Sequence, residues 1–258
     1  MEGRAGNPGR AALFRLRRRY GRRRETGPFR RRKLAASLGL EEDRPAVKLY
    51  DYFRSSAAFR VRIALNLKRL APERDFVHLR RGEQSAPPYL AVNPQGLVPA
   101  LEDDGQVFTQ SLAIIEYLDE THPEPPLLPG HPADRARVRA LALAIACDIH
   151  PIDNLRVLRY LADPLGHDEK AVAGWYNHWI AKGFDGIEGL LAGHEQTGAF
   201  CHGDAPGLAD ICLFPQVFNA RRYALDLTPW PTLGRIFERC AAHPAFDGAR
   251  PEKQPDSE

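Results

Sequence analysis

The chain has few cysteines and no long apolar run, and each shortage excludes a class of protein. Its four cysteines, Cys147, Cys201, Cys212 and Cys240, are scattered and form no Cys-x-x-Cys pair. This spacing argues against a disulfide framework and a structural zinc site, and it favours a reducing compartment, the cytoplasm. No stretch approaches the ~20 consecutive apolar residues that a bilayer crossing requires. The sequence therefore predicts a soluble protein without a membrane partner.

Acidic residues are scarce in the first 46 positions, where thirteen arginines and one lysine face five acids. The net charge is +9 there but +3 for the whole chain, so residues 47–258 carry about −6. Such an arm is typical of nucleic-acid binding or of organelle targeting. Alternatively the segment is non-native, because Met1 is the only methionine and a start misassigned upstream of Val47 would produce this pattern. We favour that interpretation, expect residues 1–46 to be disordered, and expect nucleic acid to bind only through them if at all.

The body of the chain opens with a strand candidate at residues 47–50, a turn, and a helix that begins near Ser55 and Ser56. Apolar residues then recur at helical spacing as far as Leu70. A serine at a helix start accepts a hydrogen bond from a free first-turn N–H, so capping is the ordinary explanation. Two serines exceed what one cap requires, and the positively polarised end of a helix also suits an anion or a thiolate.

The pattern then predicts further strands, at residues 73–79, 97–101 and 106–108. The first of them would run parallel to the strand at 47–50 through the helical crossover. Residues 103–105, Asp-Asp-Gly, indicate a hairpin between the last two. The next helix opens at Gln110 and Ser111, a second helix start with an exposed hydroxyl. The predicted order is βαβ followed by ββα.

Pro99 stands at the start of a predicted interior strand, where proline cannot donate to the hydrogen-bond ladder. A trans proline there is typical of an edge strand, whereas a cis bond between Val98 and Pro99 would turn the backbone. The N–H and C=O groups of Val98 would then be free to hydrogen-bond with an extended peptide ligand.

Five prolines mark residues 122–132 as a linker, and everything after it has helical spacing. The predicted runs are residues 134–161, bent near His150-Pro151, and 169–191, 208–223 and 231–242. The second run is expected to carry its apolar side chains on one side, at Trp175, Trp179, Phe184, Ile187 and Leu191. Gly207 stands at the cap position of the third run, three residues before Asp210, so only part of a capping box can form.

Four segments together resemble one family: YFRSSAAFRVRIAL, NPQGLVPAL, QSLAIIEYLDE and CDIHPIDNLRVL. The later segment LADICLFPQVFNARRYALDLTPWPT agrees with them. From Val47 onward the chain resembles a glutathione transferase of the zeta class, the maleylacetoacetate isomerases, whereas residues 1–46 have no counterpart. The resemblance implies an α/β plus all-α fold. Residues 47–121 would form an N-terminal thioredoxin-like βαβ-ββα domain that binds glutathione, and residues 133–258 a C-terminal helical-bundle domain for the substrate.

The resemblance also implies roles for individual residues. Ser55 would hydrogen-bond the glutathione sulfur and Ser56 would cap the helix, although which serine activates the thiol stays open. Arg54 and Arg222 would hold a small dicarboxylate substrate, and Arg222 joins the two serines in the catalytic set. The remaining glutathione contacts would be Gln84, Val98, Pro99, Gln110, Ser111, His150, Asn154 and Arg156.

Structural explanations compete with several of these roles. His150 before a proline is often structural, and Arg156 is nearly as well explained as a solvated charge. Arg222 at a helix end could be solvated or paired with Asp226, and Arg221 is expected to be solvated. Ala57 stands where many relatives have cysteine, which leaves both hydroxyls in place.

The resemblance implies a homodimeric enzyme that isomerises maleylacetoacetate. Maleylpyruvate isomerase shares the fold, cofactor and mechanism and is the first alternative. Leu155 beside Asn154 leaves one cation fewer than an arginine would, a slight argument for maleylacetoacetate. The activity of a general glutathione transferase also stays open. A non-catalytic binding protein is disfavoured, because such chains tend to lose the activating hydroxyl and the Gln-Ser pair.

Overall fold

The computed structural model describes residues 47–258, and its first part is a four-stranded sheet flanked by helices. Its elements are β1 (Lys48–Asp51), α1 (Ser56–Leu67), β2 (Glu73–Phe76), α2 (Pro87–Leu90), β3 (Ala100–Asp103), β4 (Gln106–Thr109) and α3 (Ser111–Thr121). β1 pairs parallel with β2 and antiparallel with β3, and β3 pairs antiparallel with β4. The strand order is β2-β1-β3-β4, and the predicted βαβ-ββα sequence of elements is confirmed. The predictions for residues 1–46 lie outside the described residues.

β2 is shorter than the sequence pattern indicates. It ends at Phe76, and the residues expected to extend it lead into a 3₁₀ segment at Leu79–Arg81. The cause is local, because the backbone N–H of His78 donates to the Glu83 carboxylate at 2.6 Å. His78 Nδ1 in turn accepts the backbone N–H of Arg81. These side-chain bonds compete with the sheet ladder and turn the chain away.

β3 begins at Ala100, directly after the Val98–Pro99 bond, which is cis, the second of the two alternatives considered above. It lies between β1 and β4, so the predicted interior position is correct, but the paired residues start only after the proline. The hairpin to β4 turns through Asp104 and Gly105, both at positive φ (54° and 71°). That conformation is the one an Asp-Gly hairpin turn requires.

The second part is helical. Its elements are α4 (Pro132–Leu143), a π-helical segment (Ala144–Ile149), α5 (Leu155–Ala162), α6 (Glu169–Leu191), α7 (Leu208–Arg222), α8 (Pro231–Ala241), α9 (Pro244–Asp247) and a 3₁₀ turn (Pro251–Lys253). The proposed linker occupies the stretch between α3 and α4. None of the helices in this described part of the chain combines the length and the apolar character that a membrane span needs.

The predicted helical run at residues 134–161 is interrupted and not merely bent. The π-helical segment ends at Ile149, and Pro151 has no N–H with which to continue the helical ladder. Asn154 then caps α5, because its Oδ1 accepts the backbone N–H of Arg156 at 3.2 Å. A short loop, His150 to Asn154, therefore separates two helix ends.

α6 has its predicted bounds, and three residues of its predicted apolar side, Phe184, Ile187 and Leu191, are buried. The buried residues along it are Tyr176, Ile180, Phe184, Ile187 and Leu191. Trp179 is 37% exposed, and Trp175 is half-buried and donates its indole N–H to the carbonyl of Ile152 at 2.9 Å. The two tryptophans of the predicted apolar side are therefore not buried, because the three-and-four spacing of the buried stripe starts at Tyr176.

α7 is the central helix of the second part and packs on α1, where Phe59 contacts the rings of Phe214 and Phe218. Gly207 is its cap residue, and the N–H of Gly207 donates to the Asp210 carboxylate at 2.9 Å. Because α1 and α7 lie against each other, the end of α7 reaches the start of α1.

Candidate active site

Two adjoining cavities open where the start of α1 meets the end of α7 and the loop at residues 150–154. Both are lined by His150 and Asn154. The serine cavity, of about 210 Å³, is further lined by Arg54, Ser55, Ser56, Asp153, Gln216 and Arg222. The sheet cavity, of about 390 Å³, is further lined by Arg60, Val98, Pro99, Gln110, Ser111 and Arg156. Every predicted site residue except Gln84 lines one of them.

The two serines have different partners from those expected. Ser55 is the residue before α1, and its Oγ accepts the backbone N–H of Ala58 at 3.2 Å, so Ser55 is the helix cap. Ser56 is 7% exposed, and its Oγ accepts from Asn219 Nδ2 on α7 at 2.5 Å. The prediction that Ser56 caps the helix is therefore wrong, since Ser56 is already the first residue of α1. A hydroxyl that accepts one bond still has its own O–H to donate.

Gln110 and Ser111 open α3 at the floor of the sheet cavity. Gln110 has a positive φ of 69°, a conformation that costs a non-glycine residue about 1–3 kcal/mol. Its side chain donates to Gln95 Oε1 at 3.0 Å. Ser111 Oγ accepts from Arg60 Nη1 at 3.3 Å. A strained backbone held next to a helix start presents polar groups to the cavity in a fixed arrangement.

The loop before β3 is held by its own hydrogen bonds. The carbonyl of Leu97 accepts from Tyr89 Oη at 2.6 Å and from Asn93 Nδ2 at 2.7 Å. Asn93 also accepts the backbone N–H of Gln95 through its Oδ1. These bonds fix the residue before Val98, so the backbone that was predicted to pair with a peptide ligand is pre-positioned at the cavity wall.

His150 is a neutral group at the junction of the cavities. Burial, together with the charges of Arg60 and Arg156, lowers the pKa of His150 to about 3. At neutral pH the imidazole therefore offers one donor and one acceptor, and no charge. Asn154 Nδ2 lies 3.5 Å from His150 Nε2. The predicted contact of His150 with glutathione would be a neutral hydrogen bond.

Gln84 is set apart from the other predicted residues. It lines neither the serine cavity nor the sheet cavity. Its backbone carbonyl would lie 3.1 Å from a Cβ added at Gly96, so it packs beneath the loop that carries Val98. Its role toward glutathione stays a prediction.

The arginines at the end of α7 differ in their partners. Arg222 is exposed, lies over the Tyr223 ring, and makes no ion pair within residues 47–258. The Arg222–Asp226 pair considered above does not form, because Asp226 accepts from Thr228 instead. Arg221, expected to be solvated, is paired with Glu238 and lies over Phe237. Of the two, Arg222 is the one available to an anion in the serine cavity.

The structure adds four residues to the site, Arg60, Asp153, Gln216 and Asn219. Arg60 is 1% exposed, and within residues 47–258 its Nε and Nη2 have no hydrogen-bond partner. Burial lowers the pKa of this guanidinium. Arg60 lies four residues after Ser56 and therefore on the same face of α1, and this spacing could have predicted Arg60 as a site residue. Asp153, Gln216 and Asn219 carry no comparable local signal.

Family models match both parts of the chain. The model for the N-terminal domain of glutathione S-transferase matches residues 49–126, and the model for its C-terminal domain matches residues 169–248. The chain is also 52% identical over 211 residues to a probable maleylacetoacetate isomerase of Vibrio cholerae, a match that covers 81% of this chain and 97% of that protein. The chain belongs to the glutathione transferase family.

Solved structures place this glutathione transferase in the zeta class. It is 48% identical to a zeta-class maleyl pyruvate isomerase in its holo form, with a TM-score of 0.80, over 82% of this chain and 100% of that one. It is 44% identical to a maleylacetoacetate isomerase of Anaeromyxobacter dehalogenans with dicarboxyethyl glutathione and citrate in the active site. That match has a TM-score of 0.73 and covers 83% of this chain and 98% of the other. The predicted family and fold are confirmed.

Proposed function

We propose that this zeta-class glutathione transferase is a glutathione-dependent isomerase that converts maleylacetoacetate to fumarylacetoacetate in tyrosine and phenylalanine breakdown. The observation that carries the proposal is one cavity that contains both hydroxyls at the start of α1 together with Arg222. Its neighbour contains the Gln110-Ser111 pair. A cytoplasmic location and a homodimer, both implied by the family, are parts of the same proposal.

The sheet cavity fits glutathione, an extended tripeptide with a carboxylate at each end. Gln110 and Ser111 would hold the γ-glutamyl end at the start of α3, where the free N–H groups and buried Arg60 favour an anion. The backbone of Val98 would pair with the cysteinyl residue. The remaining groups would meet Gln84, His150, Asn154 and Arg156.

When bound, glutathione supplies a thiolate that adds to the double bond conjugated with the ketone, which allows rotation, and then leaves. A thiol of pKa about 8.5 is mostly protonated at neutral pH, so the site must favour the thiolate. The Ser55 O–H would donate to the sulfur, and the positive end of α1 acts in the same direction. Arg54 and Arg222 would pair with the substrate carboxylates.

Maleylpyruvate is the alternative substrate, because one of the similar structures is a maleylpyruvate isomerase. The two substrates differ in chain length between the ketone and the second carboxylate. Leu155 lines the serine cavity and adds no cation there, which supports maleylacetoacetate. The kcat/KM values for the two substrates decide which of them is preferred.

The proposal is tested by following cis-to-trans conversion in the ultraviolet with each substrate, with and without glutathione. We expect turnover only with glutathione, which should be needed in catalytic amounts and recovered unchanged. A higher kcat/KM for maleylacetoacetate is expected. Consumption of glutathione during the reaction, or the absence of turnover with both substrates, would refute the proposal.

Arg222→Lys should raise the Michaelis constant for the dicarboxylate about 10-fold or more, because a lysine cannot form two parallel hydrogen bonds with a carboxylate. Glutathione affinity and melting temperature should stay close to wild type. Arg221→Lys is the matched control, since Arg221 is paired with Glu238, and it should leave the Michaelis constant unchanged. An equal rise for a singly charged analogue would show that Arg222 does not hold a carboxylate.

A further inference from the structure

Asp153 and Gln216 are buried polar residues of the serine cavity that the mechanism above does not use. Asp153 is 7% exposed and Gln216 is 1% exposed, and both line this cavity. Within residues 47–258, neither carboxylate oxygen of Asp153 and neither amide atom of Gln216 has a hydrogen-bond partner. Buried polar atoms are almost always satisfied in native proteins, so unsatisfied ones at a cavity wall indicate a ligand.

The position of Asp153 is fixed from both sides. The carbonyl of Ile152 accepts the indole N–H of Trp175 at 2.9 Å, which ties the preceding residue to α6. The following residue, Asn154, caps α5. The backbone N–H of Asp153 itself donates to the His150 carbonyl at 3.3 Å. A side chain on a loop restrained in this way is preorganised, so it can contact a ligand without moving.

Charged and titratable groups from several elements line the same cavity as Asp153. They are Arg54, Arg80, Arg222, His150, Tyr52, Tyr176 and Tyr223. Burial raises the pKa of the Asp153 carboxyl group to about 7, so this group is largely protonated below that pH. His150 is neutral there, and the arginines stay charged. In its protonated form Asp153 is therefore a hydrogen-bond donor in a cavity otherwise rich in cations.

We propose that Asp153 is a further catalytic residue, which donates a hydrogen bond from its neutral carboxyl group to the keto oxygen of the substrate. This inference rests on the proposed function. Arg54 and Arg222 are assigned to the two substrate carboxylates, which leaves the keto oxygen for another donor. The side-chain N–H groups of Gln216 are a second donor for the same oxygen.

The reaction gives this hydrogen bond a direct effect on the rate. As the sulfur lone pair forms the C–S bond, the electron pair of the double bond moves toward the ketone, and negative charge develops on the keto oxygen. This electron pair re-forms the double bond when the C–S bond breaks, so the reaction requires no proton transfer. A donor at that oxygen therefore stabilises the transition state more than the bound substrate. An ionised Asp153 would repel the same charge.

The test compares Asp153→Asn and Asp153→Leu in the full chain, with maleylacetoacetate and saturating glutathione, between pH 5.5 and 9. Asp153→Leu removes the donor and should lower kcat roughly 100-fold. Asp153→Asn keeps an N–H donor but does not titrate. The ratio of wild-type kcat to Asp153→Asn kcat should therefore fall as the pH rises past about 7. Asp163→Asn, an exposed carboxylate at the end of α5, is the matched control and should give a constant ratio.

A ratio that is constant with pH for Asp153→Asn, or a normal kcat for Asp153→Leu, would overturn the inference. Melting temperatures provide a readout that is independent of activity. An aspartate in an unfolded chain has a pKa near 3.9, so raising it in the fold costs stability above that pH. The melting temperature of Asp153→Asn should thus be higher than that of the wild type at pH 8 and equal to it at pH 4. Failure of the proposed function is distinct, because the wild type itself would then show no turnover.

Discussion

In the proposed function, the side chain of Ser55 serves both the fold and the site. Its Oγ accepts the N–H of Ala58 and so satisfies one of the free groups at the start of α1. Its O–H remains to donate to a sulfur. Ser56 has a different structural partner, Asn219, which lies 163 positions further along the chain. The two hydroxyls are adjacent in sequence but support different parts of the molecule.

Ser55→Ala should lower both turnover and stability, the latter by about 0.5–2 kcal/mol, because the cap is lost. Glutathione affinity should change little, since in the proposed binding mode the tripeptide is held mainly through its backbone and carboxylates. Ser56→Ala should lose the bond to Asn219 and reduce turnover less. Thermal unfolding and single-substrate kinetics measure both effects. Equal turnover losses for the two serines, or an unchanged melting temperature for Ser55→Ala, would count against this division of roles.

The Ser56–Asn219 bond has its own control in Asn219→Ala. This substitution should reproduce the stability loss of Ser56→Ala, and the double variant should lose no more than either single one, because both remove the same bond.

At the scale of elements, the interruption between the π-helical segment and α5 places three site residues, His150, Asp153 and Asn154, at one cavity edge. This arrangement depends on close contact with α6. A Cβ added at Gly183 would lie 2.2 Å from Cδ1 and 2.3 Å from Cγ1 of Ile149, the last residue of the π-helical segment. Glycine is therefore needed at position 183 for α6 to pack closely against the π-helical segment.

Gly183→Ala should destabilise the protein by about 1–3 kcal/mol, because Ile149 must leave its position in a packed core. It should also lower turnover, since His150 follows Ile149 directly. Gly186→Ala is the matched control on the same helix, where an added Cβ meets nothing within 4 Å. That change should stabilise by up to ~1 kcal/mol through helix propensity. Denaturant unfolding of both variants makes the comparison, and shifts of the same sign would contradict it.

At the scale of the whole molecule, the C-terminal segment returns to the first part of the chain. Arg62 of α1 is buried, donates to Asp51 Oδ1 at 2.8 Å, and donates through Nε to the carbonyl of Ala249 at 3.1 Å. Asp256 accepts the backbone N–H of Phe53 at 2.9 Å. Phe53 immediately precedes Arg54 and Ser55, so the end of the chain restrains the loop that carries two site residues.

Asp256→Ala should lower turnover and destabilise by roughly 1.5–3 kcal/mol, the range for a hydrogen bond to a charged group. The loss of turnover is expected because the loop before Ser55 loses an anchor. Asp247→Ala is the control, since the partners of this exposed carboxylate, Lys253 and Arg250, lie within the C-terminal segment itself. The kcat and the melting temperature of the two variants are compared with those of the wild type. The proposed restraint does not exist if the two variants behave alike.

The order of elements could be predicted from the sequence because it rests on local signals, whereas most residues of the candidate site were predicted only through the family resemblance. The apolar spacing of α1, the Asp-Gly hairpin and the proline before β3 each depend on residues within a few positions of one another. The serine pair and the Gln110-Ser111 pair were found in the same way, at helix starts. Such signals can be recognised without knowledge of the tertiary structure, since they reflect the backbone's nearest hydrogen-bond partners.

What the tertiary structure alone decided is which distant groups face the site. Asn219 meets Ser56 across 163 positions and Asp256 meets Phe53 across 203, and no spacing rule reaches so far. Asp153 has an altered pKa because packing removes water from it, and its neighbours in sequence do not indicate that burial. Local sequence determines where elements begin and end. Burial and charge at the site depend on how α1, α6 and α7 pack, which is a property of the whole chain.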